Sequence, residues 1–262
     1  MPRFLIRIEY DGSGFVGWQR QDNGPSVQHC LEQAAAYLNN GQPVTIQGAG
    51  RTDAGVHASG QAAHLDIFPR TATAITAEKL PLALNARLPA VIRVLSARRV
   101  DDAFHARFDA LERQYCYRIL PRRVASALDR DRLWHYPCRG GIADIDLQAM
   151  QQAAAILVGH HDFTSFRAVA CQAASALRTL DSLQIEQHGE ELRLHARARS
   201  FLHHQIRNIT GTLMLVGSGK WQPQNVAAAL AARDRSAAGP TAPPQGLYLT
   251  AVRYALDSEN PA

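Results

Sequence analysis

The order of apolar and polar positions predicts strands and helices intermixed in both halves of the chain. The stretch RFLIRIEY near the start alternates, with Phe4, Ile6 and Ile8 on one face, and predicts a strand. Ser26 is expected to cap a helix that runs to about Asn39 along an apolar stripe at helical spacing. The other elements predicted in the first half are strands at 43–47, 60–68 and 90–100 and a helix at 76–88.

The second half repeats this plan. Asp146 is expected to cap a helix that ends at Gly159, and a hairpin is expected to turn at His188 and Gly189. We also predict a strand at 113–120, an irregular segment at 121–145, a helix at 201–217, a helix capped by Asn225 and a closing strand at 246–254; residues 258–262 are expected to be frayed. The pattern indicates an α+β chain of two similar lobes, at 1–105 and 106–262, with the boundary placed only within 105–145.

The composition is that of a globular protein. Of the 262 residues, 46% are hydrophobic and 19% are charged, which argues against a disordered chain. No apolar run approaches the roughly 18–20 residues that span a bilayer, and the start has no signal-peptide cleavage pattern. The chain has four scattered cysteines and no CxxC pair, so neither a zinc site nor a disulfide framework is indicated: Cys30, Cys116, Cys138 and Cys171. This pattern favours a reducing compartment, the cytoplasm.

Basic charge is concentrated in one third of the chain. The net charge is +5, with 26 Arg against 2 Lys, and the segment from Arg87 to Arg139 alone carries +6. Arginine presents a planar fork to phosphates and a flat face to bases, so a nucleic-acid partner is one interpretation. The other is that an arginine-rich composition reflects coding bias.

One loop concentrates candidate chemistry. In GAGRTDAGVHASGQAAH, at 48–64, Arg51 and Asp53 stand two residues apart among glycines, between two predicted strands. Asp53 is either a turn residue bonded to its own backbone or a carboxylate that a guanidinium keeps ionised, and spacing alone favours the turn. No phosphate-binding GxxxxGK[ST] motif occurs, and the pair His203–His204 is interpreted as packed or solvated rather than as part of a metal site.

The string GRTDAGVHA at 50–58 resembles the signature of the tRNA pseudouridine synthase A family. The resemblance continues through EYDGSGFVGWQRQ at 9–21, FHARFDALERQYCYRI at 104–119 and HDFTSFRA at 161–168, and on to FLHHQIRNITG at 201–211 and PPQGLYL at 243–249. It covers nearly the whole chain in order. It implies a fold of two lobes, each an antiparallel-rich mixed sheet backed by helices, with a basic cleft between them.

The resemblance also implies an activity: isomerisation of uridine to pseudouridine at positions 38–40 in the anticodon stem-loop of tRNA, without a cofactor. The family's RTD aspartate falls on Asp53, which becomes the candidate nucleophile, and Arg51 corresponds to the arginine that displaces the target base. The family's stacking tyrosine falls on Tyr115, and the basic partner of the aspartate falls on Arg207. From the residues alone, Tyr115 could equally be plain core and Arg207 could bind backbone carbonyls.

Further tRNA contacts are implied for the segment 104–108 and for two single residues: Phe104, His105, Ala106, Arg107 and Phe108, together with Arg70 and Gln172. Gln114 and Cys116 stand where relatives often carry arginine, which weakens the expectation of phosphate contacts there. The family works as a homodimer, and no metal is implied.

Two questions stay open at this point. A non-catalytic RNA-binding or RNA-folding module, supported only by the basic segment, is the alternative to an enzyme. If Asp53 is the nucleophile, it attacks either the anomeric carbon of the ribose or C6 of the uracil.

Overall fold

The structure, a computed structural model, describes residues 2–67 and 75–257. Its helices are α1 (Val27–Leu38), α2 (Lys79–Asn85), α3 (Leu147–Leu157), α4 (Gln205–Gly217) and α5 (Pro223–Ala232). Its strands are β1 (Arg3–Tyr10), β2 (Ile46–Gly48), β3 (His57–Asp66), β4 (Ile92–Val100), β5 (Glu112–Pro121), β6 (Trp134–Tyr136), β7 (Gly159–Asp162), β8 (Leu177–Leu180), β9 (Ser182–His188), β10 (Glu191–Ala198) and β11 (Leu247–Arg253). The predicted α+β class is confirmed.

The chain divides into two compact units, residues 1–111 with 248–262 and residues 112–247. The division after 111 lies within the predicted range of 105–145, but the prediction kept the end of the chain with the second lobe. The structure instead places 248–257 with the first unit, because Tyr248 and Leu249 of β11 pair with His57 and Ala58 of β3.

The first unit is built on a mixed sheet in the order β4-β1-β3-β11, with β2 added to β3. All its pairings are antiparallel except that of β3 with β11. The face predicted from β1 is buried as expected, and Tyr10 at the end of that strand is buried as well. Helix α1 begins as predicted, because the Ser26 hydroxyl accepts a hydrogen bond from the backbone N–H of His29 at 3.3 Å.

In the second unit, β10 pairs antiparallel with β5 and β9, and β6 pairs parallel with β5. Helix α3 packs against β9, α4 and α5. The predicted cap of α3 is confirmed, since the Asp146 carboxylate accepts from Ala149 N–H at 2.8 Å. The hairpin predicted at His188 and Gly189 is confirmed by the pairing of β9 with β10.

Two helix starts in this unit differ from the prediction. Helix α4 begins at Gln205, not at 201, because His204 adopts a left-handed conformation (φ +63°) that a helix cannot include. Helix α5 is capped by Gln222, with Pro223 in its first turn, and Asn225 instead accepts a hydrogen bond from Gln222 N–H at 2.7 Å. Among residues 2–67 and 75–257, no helix combines the length and the apolar character needed to cross a membrane.

Candidate active site

The RTD loop, residues 49–56, connects β2 to β3 in the first unit. The two strands it joins pair with each other, so the loop reverses the chain at one end of the sheet. Its second half is a tight turn in which Val56 N–H donates to the carbonyl of Asp53 at 3.1 Å, and Gly55 has φ +75°. The turn is therefore closed by the backbone of Asp53 and does not require its carboxylate.

Burial alternates along the three central residues of the loop. Arg51 is exposed, Thr52 is buried and Asp53 is half-buried. Arg51 is therefore accessible to solvent, and Asp53 is partly accessible. The loop thus presents a guanidinium and a carboxylate two residues apart, as the sequence predicts.

Three groups outside the loop bond to it: the Tyr10 hydroxyl, the Trp18 backbone and the Gln61 side chain. The hydroxyls of Tyr10 and Thr52 are 2.8 Å apart, and the backbone N–H of Trp18 donates to the Thr52 carbonyl at 3.1 Å. The side-chain amide of Gln61 donates to the Gly50 carbonyl at 3.0 Å. The sequence pattern does not indicate these hydrogen bonds, although it does place Tyr10 on the buried face of β1.

The segment 104–108, predicted to contact RNA, forms a compact exposed turn. Phe104 and Ala106 are buried, whereas Arg107 is exposed and Phe108 is 68% exposed. The His105 and Phe108 rings lie 4.3 Å apart between centroids. An exposed aromatic ring beside an arginine suits contacts with bases and phosphates.

Three side chains hold the backbone of this turn. Arg3 donates to the Phe104 carbonyl at 2.8 Å, the Tyr254 hydroxyl donates to the Ala106 carbonyl at 2.8 Å, and His64 Nδ1 accepts from Ala106 N–H at 3.1 Å. Burial lowers the pKa of His64 to about 4, and the nearby positive charge of Arg3 acts in the same direction. His64 is therefore neutral at physiological pH, as its role as an acceptor requires.

Tyr115 lies on β5 in the second unit, opposite Ala196 of β10. It is 9% exposed, and the Phe201 ring meets it edge-on at 5.2 Å between centroids. An edge-on neighbour fixes the plane of the tyrosine ring. The ring is largely buried but not sealed, so the core and the stacking interpretations both stay compatible with its position.

Arg207 lies in the first turn of α4 and is half-buried. Its Nε donates to the Ala242 carbonyl at 2.8 Å, and Ala242 N–H donates back to the Arg207 carbonyl at 3.0 Å. Arg207 therefore binds a backbone carbonyl through its Nε, as the alternative interpretation of this residue predicted. This contact also fixes the direction in which the guanidinium points.

The remaining predicted positions are dispersed. Gln172 is exposed in the segment between Phe166 and Leu177, and Arg70 and the predicted frayed end at 258–262 lie outside the described residues. His203 and His204 precede α4, with ring centroids 4.1 Å apart.

A model of a family described as tRNA pseudouridine synthase matches residues 6–109 and 153–255. The chain belongs to this family. It is similar to the tRNA pseudouridine synthase A of Rhodospirillum centenum, at 54% identity over 97% of this chain and 100% of the relative. The protein of the same name from Paramagnetospirillum magneticum is 52% identical over 97% of this chain and 96% of the relative.

Membership of the tRNA pseudouridine synthase family confirms the predicted family and the predicted enzyme class, an isomerase. The matched segments include Arg51, Asp53 and Arg207, whereas Tyr115 lies in the interval between them. The relatives span nearly the whole chain and therefore include that interval. The roles of the individual residues stay predictions.

Proposed function

We propose that this protein isomerises uridine to pseudouridine at positions 38–40 in the anticodon stem-loop of tRNA. Similarity along nearly the full length of proteins named tRNA pseudouridine synthase A supports the reaction. The observation that supports the assignment of residues is the RTD loop, in which Thr52 is buried, Arg51 is exposed and Asp53 is half-buried.

Asp53 is the proposed nucleophile. In the reaction the bond from the ribose C1′ to N1 of uracil breaks, the base turns, and a bond from C1′ to C5 forms. The C5 proton leaves and N1 gains a proton, so the product has the formula of the substrate and no oxidant or reductant is consumed. A carboxylate that forms a covalent link and is released again suits such a two-stage process.

The target base must leave the helical stem before it can react. Extrusion of a base costs a few kcal/mol, and stacking on an aromatic side chain returns about 1–3 kcal/mol per base. Tyr115 is the proposed stacking partner, and Arg51 is the proposed group that takes the place of the extruded base. Arg207 is proposed as the basic group that favours the ionised nucleophile.

The rest of the tRNA is proposed to contact the turn 104–108, Gln172 and the basic segment. The exposed pair of Arg107 and Phe108 supports this part of the proposal. We also propose that the enzyme acts as a homodimer, which sedimentation of the purified protein would test.

The test is pseudouridine mapping on unmodified tRNA by carbodiimide-blocked primer extension. Wild-type protein should give stops at positions 38–40, and Asp53→Asn, which keeps the shape of the side chain without its charge, should give none while still binding tRNA. Activity in Asp53→Asn and Asp53→Ala would exclude Asp53 as the nucleophile. Binding without stops for the wild type would instead support the RNA-binding module.

A further inference from the structure

The RTD loop is bonded to the core at two points that lie on either side of Arg51. At Gly50 the backbone carbonyl accepts from the Gln61 side-chain amide at 3.0 Å. At Thr52 the side-chain hydroxyl is 2.8 Å from the hydroxyl of Tyr10. Residues 50 and 52 are therefore fixed from below, while 51 and 53 are the positions on which the proposed chemistry depends.

Tyr10 connects these two points. The Gln61 amide that holds Gly50 also approaches the Tyr10 hydroxyl, at 3.5 Å. Because an amide nitrogen only donates, the Tyr10 oxygen accepts in this contact, whereas either hydroxyl can donate in the bond between Tyr10 and Thr52. The three side chains are almost fully buried, with exposures of 4% for Tyr10, 7% for Thr52 and 0% for Gln61.

We propose that Tyr10 is a positioning residue for Asp53: its hydroxyl fixes Thr52 and so sets the place of the carboxylate on the next residue. Burial raises the pKa of Tyr10 to about 12, so its hydroxyl stays protonated across the pH range in which the enzyme is assayed. This inference rests on the proposed role of Asp53. It assigns Tyr10 no contact with the RNA.

A positioning role and a purely structural role make different predictions for catalysis. A loss of folding stability alone removes active protein and leaves the rate of each folded molecule unchanged. A loosened RTD loop lowers kcat of the folded enzyme, since a displacement of about 1 Å at a reacting group can cost about 100-fold. The affinity for tRNA should change little, because Tyr10 is buried beneath the loop.

The experiment compares Tyr10→Phe, Thr52→Val and the double variant under single-turnover conditions, with enzyme in saturating excess over tRNA. Circular dichroism establishes that each variant is folded. Each single variant should lower the rate about 10-fold to 100-fold, and the double variant should lose no more than the more impaired single variant. The tRNA dissociation constant should stay within about 3-fold of wild type in all three.

Asn85→Ala is the matched control. Asn85 bonds both backbone groups of Val94, at 2.8 and 2.9 Å, so its loss removes hydrogen bonds from the same unit at a distance from the RTD loop. It should lower stability without lowering the single-turnover rate. A wild-type rate in folded Tyr10→Phe, or multiplied losses in the double variant, would overturn the positioning role. An inactive wild-type enzyme would instead refute the proposed function.

Discussion

Gly17 approaches the RTD loop more closely than a residue with a Cβ can. A Cβ built at this position would lie 2.6 Å from the Thr52 carbonyl oxygen and 3.2 Å from the carbonyl carbon of Asp53. Its φ of +115° is one that residues other than glycine rarely adopt. Gly17→Ala therefore presses directly on the backbone that carries the proposed nucleophile.

The size of the effect follows from these distances. Ordinary contact begins near 3.4 Å, so the Thr52 oxygen must retreat by about 0.8 Å. Strain at φ costs about 1–3 kcal/mol and overpacking costs a similar amount, so we expect the free energy of unfolding to fall by about 2–6 kcal/mol. A loop shift approaching 1 Å should lower kcat about 100-fold.

Gly14→Ala is the matched control for this substitution. Gly14 lies in the same glycine-rich segment, and a Cβ there meets nothing within 4 Å. Urea denaturation would measure the stability of both variants, and single-turnover pseudouridine formation would measure their rates. Gly14→Ala should be close to wild type in both assays. Equal rates for the two variants would refute the argument that the contact of Gly17 with Thr52 places the loop.

Two further predictions concern His64 and Tyr115. The folded-state pKa of His64, about 4, lies below the 6.5 of an ordinary histidine, so its contribution to stability is complete above about pH 6.5 and is lost as the pH falls towards 4. Urea denaturation should show the free energy of unfolding falling by about 1–3 kcal/mol over this pH range. In His64→Asn, which keeps an acceptor but does not titrate, stability should depend less on pH. An unaltered pH dependence in this variant would contradict the role given to His64. Tyr115→Ala should weaken tRNA binding about 5-fold to 150-fold, while Tyr115→Phe should keep most of the affinity. Equal losses in both variants, measured by filter binding, would show that the hydroxyl matters rather than the ring.

The sequence predicted the start of a helix correctly where a residue next to the helix caps it. The start of α1 was predictable because its cap, Ser26, is one residue from the helix and bonds three residues ahead. The start of α4 was not, because the apolar residues Phe201 and Leu202 extend the helical pattern backwards, while the backbone at His204 is left-handed. At α5, Asn225 was mistaken for the cap because its side chain does cap a backbone N–H, from a position inside the helix.

The sequence indicates candidate residues for the site, but it does not indicate the contacts that hold the RTD loop. The short string around Arg51 and Asp53 is specific enough to indicate the family, and its alternation of exposed and buried positions follows from the turn. The bond between Tyr10 and Thr52 joins positions 42 residues apart. No pattern within one segment can indicate such a contact, because it depends on how β1 and the RTD loop come together.

Strand β11 makes completion of the first unit depend on the order of synthesis. Residues 112–247 form a continuous unit and can fold as soon as they leave the ribosome. The unit that carries the RTD loop lacks one strand of its sheet until β11 emerges, and the pairing of Tyr248 and Leu249 falls at the first residues of β3, immediately after the loop. We expect a chain truncated after 247 to hold a folded second unit and a first unit without β11, so the RTD loop should be less ordered in that truncated chain than when β11 is present.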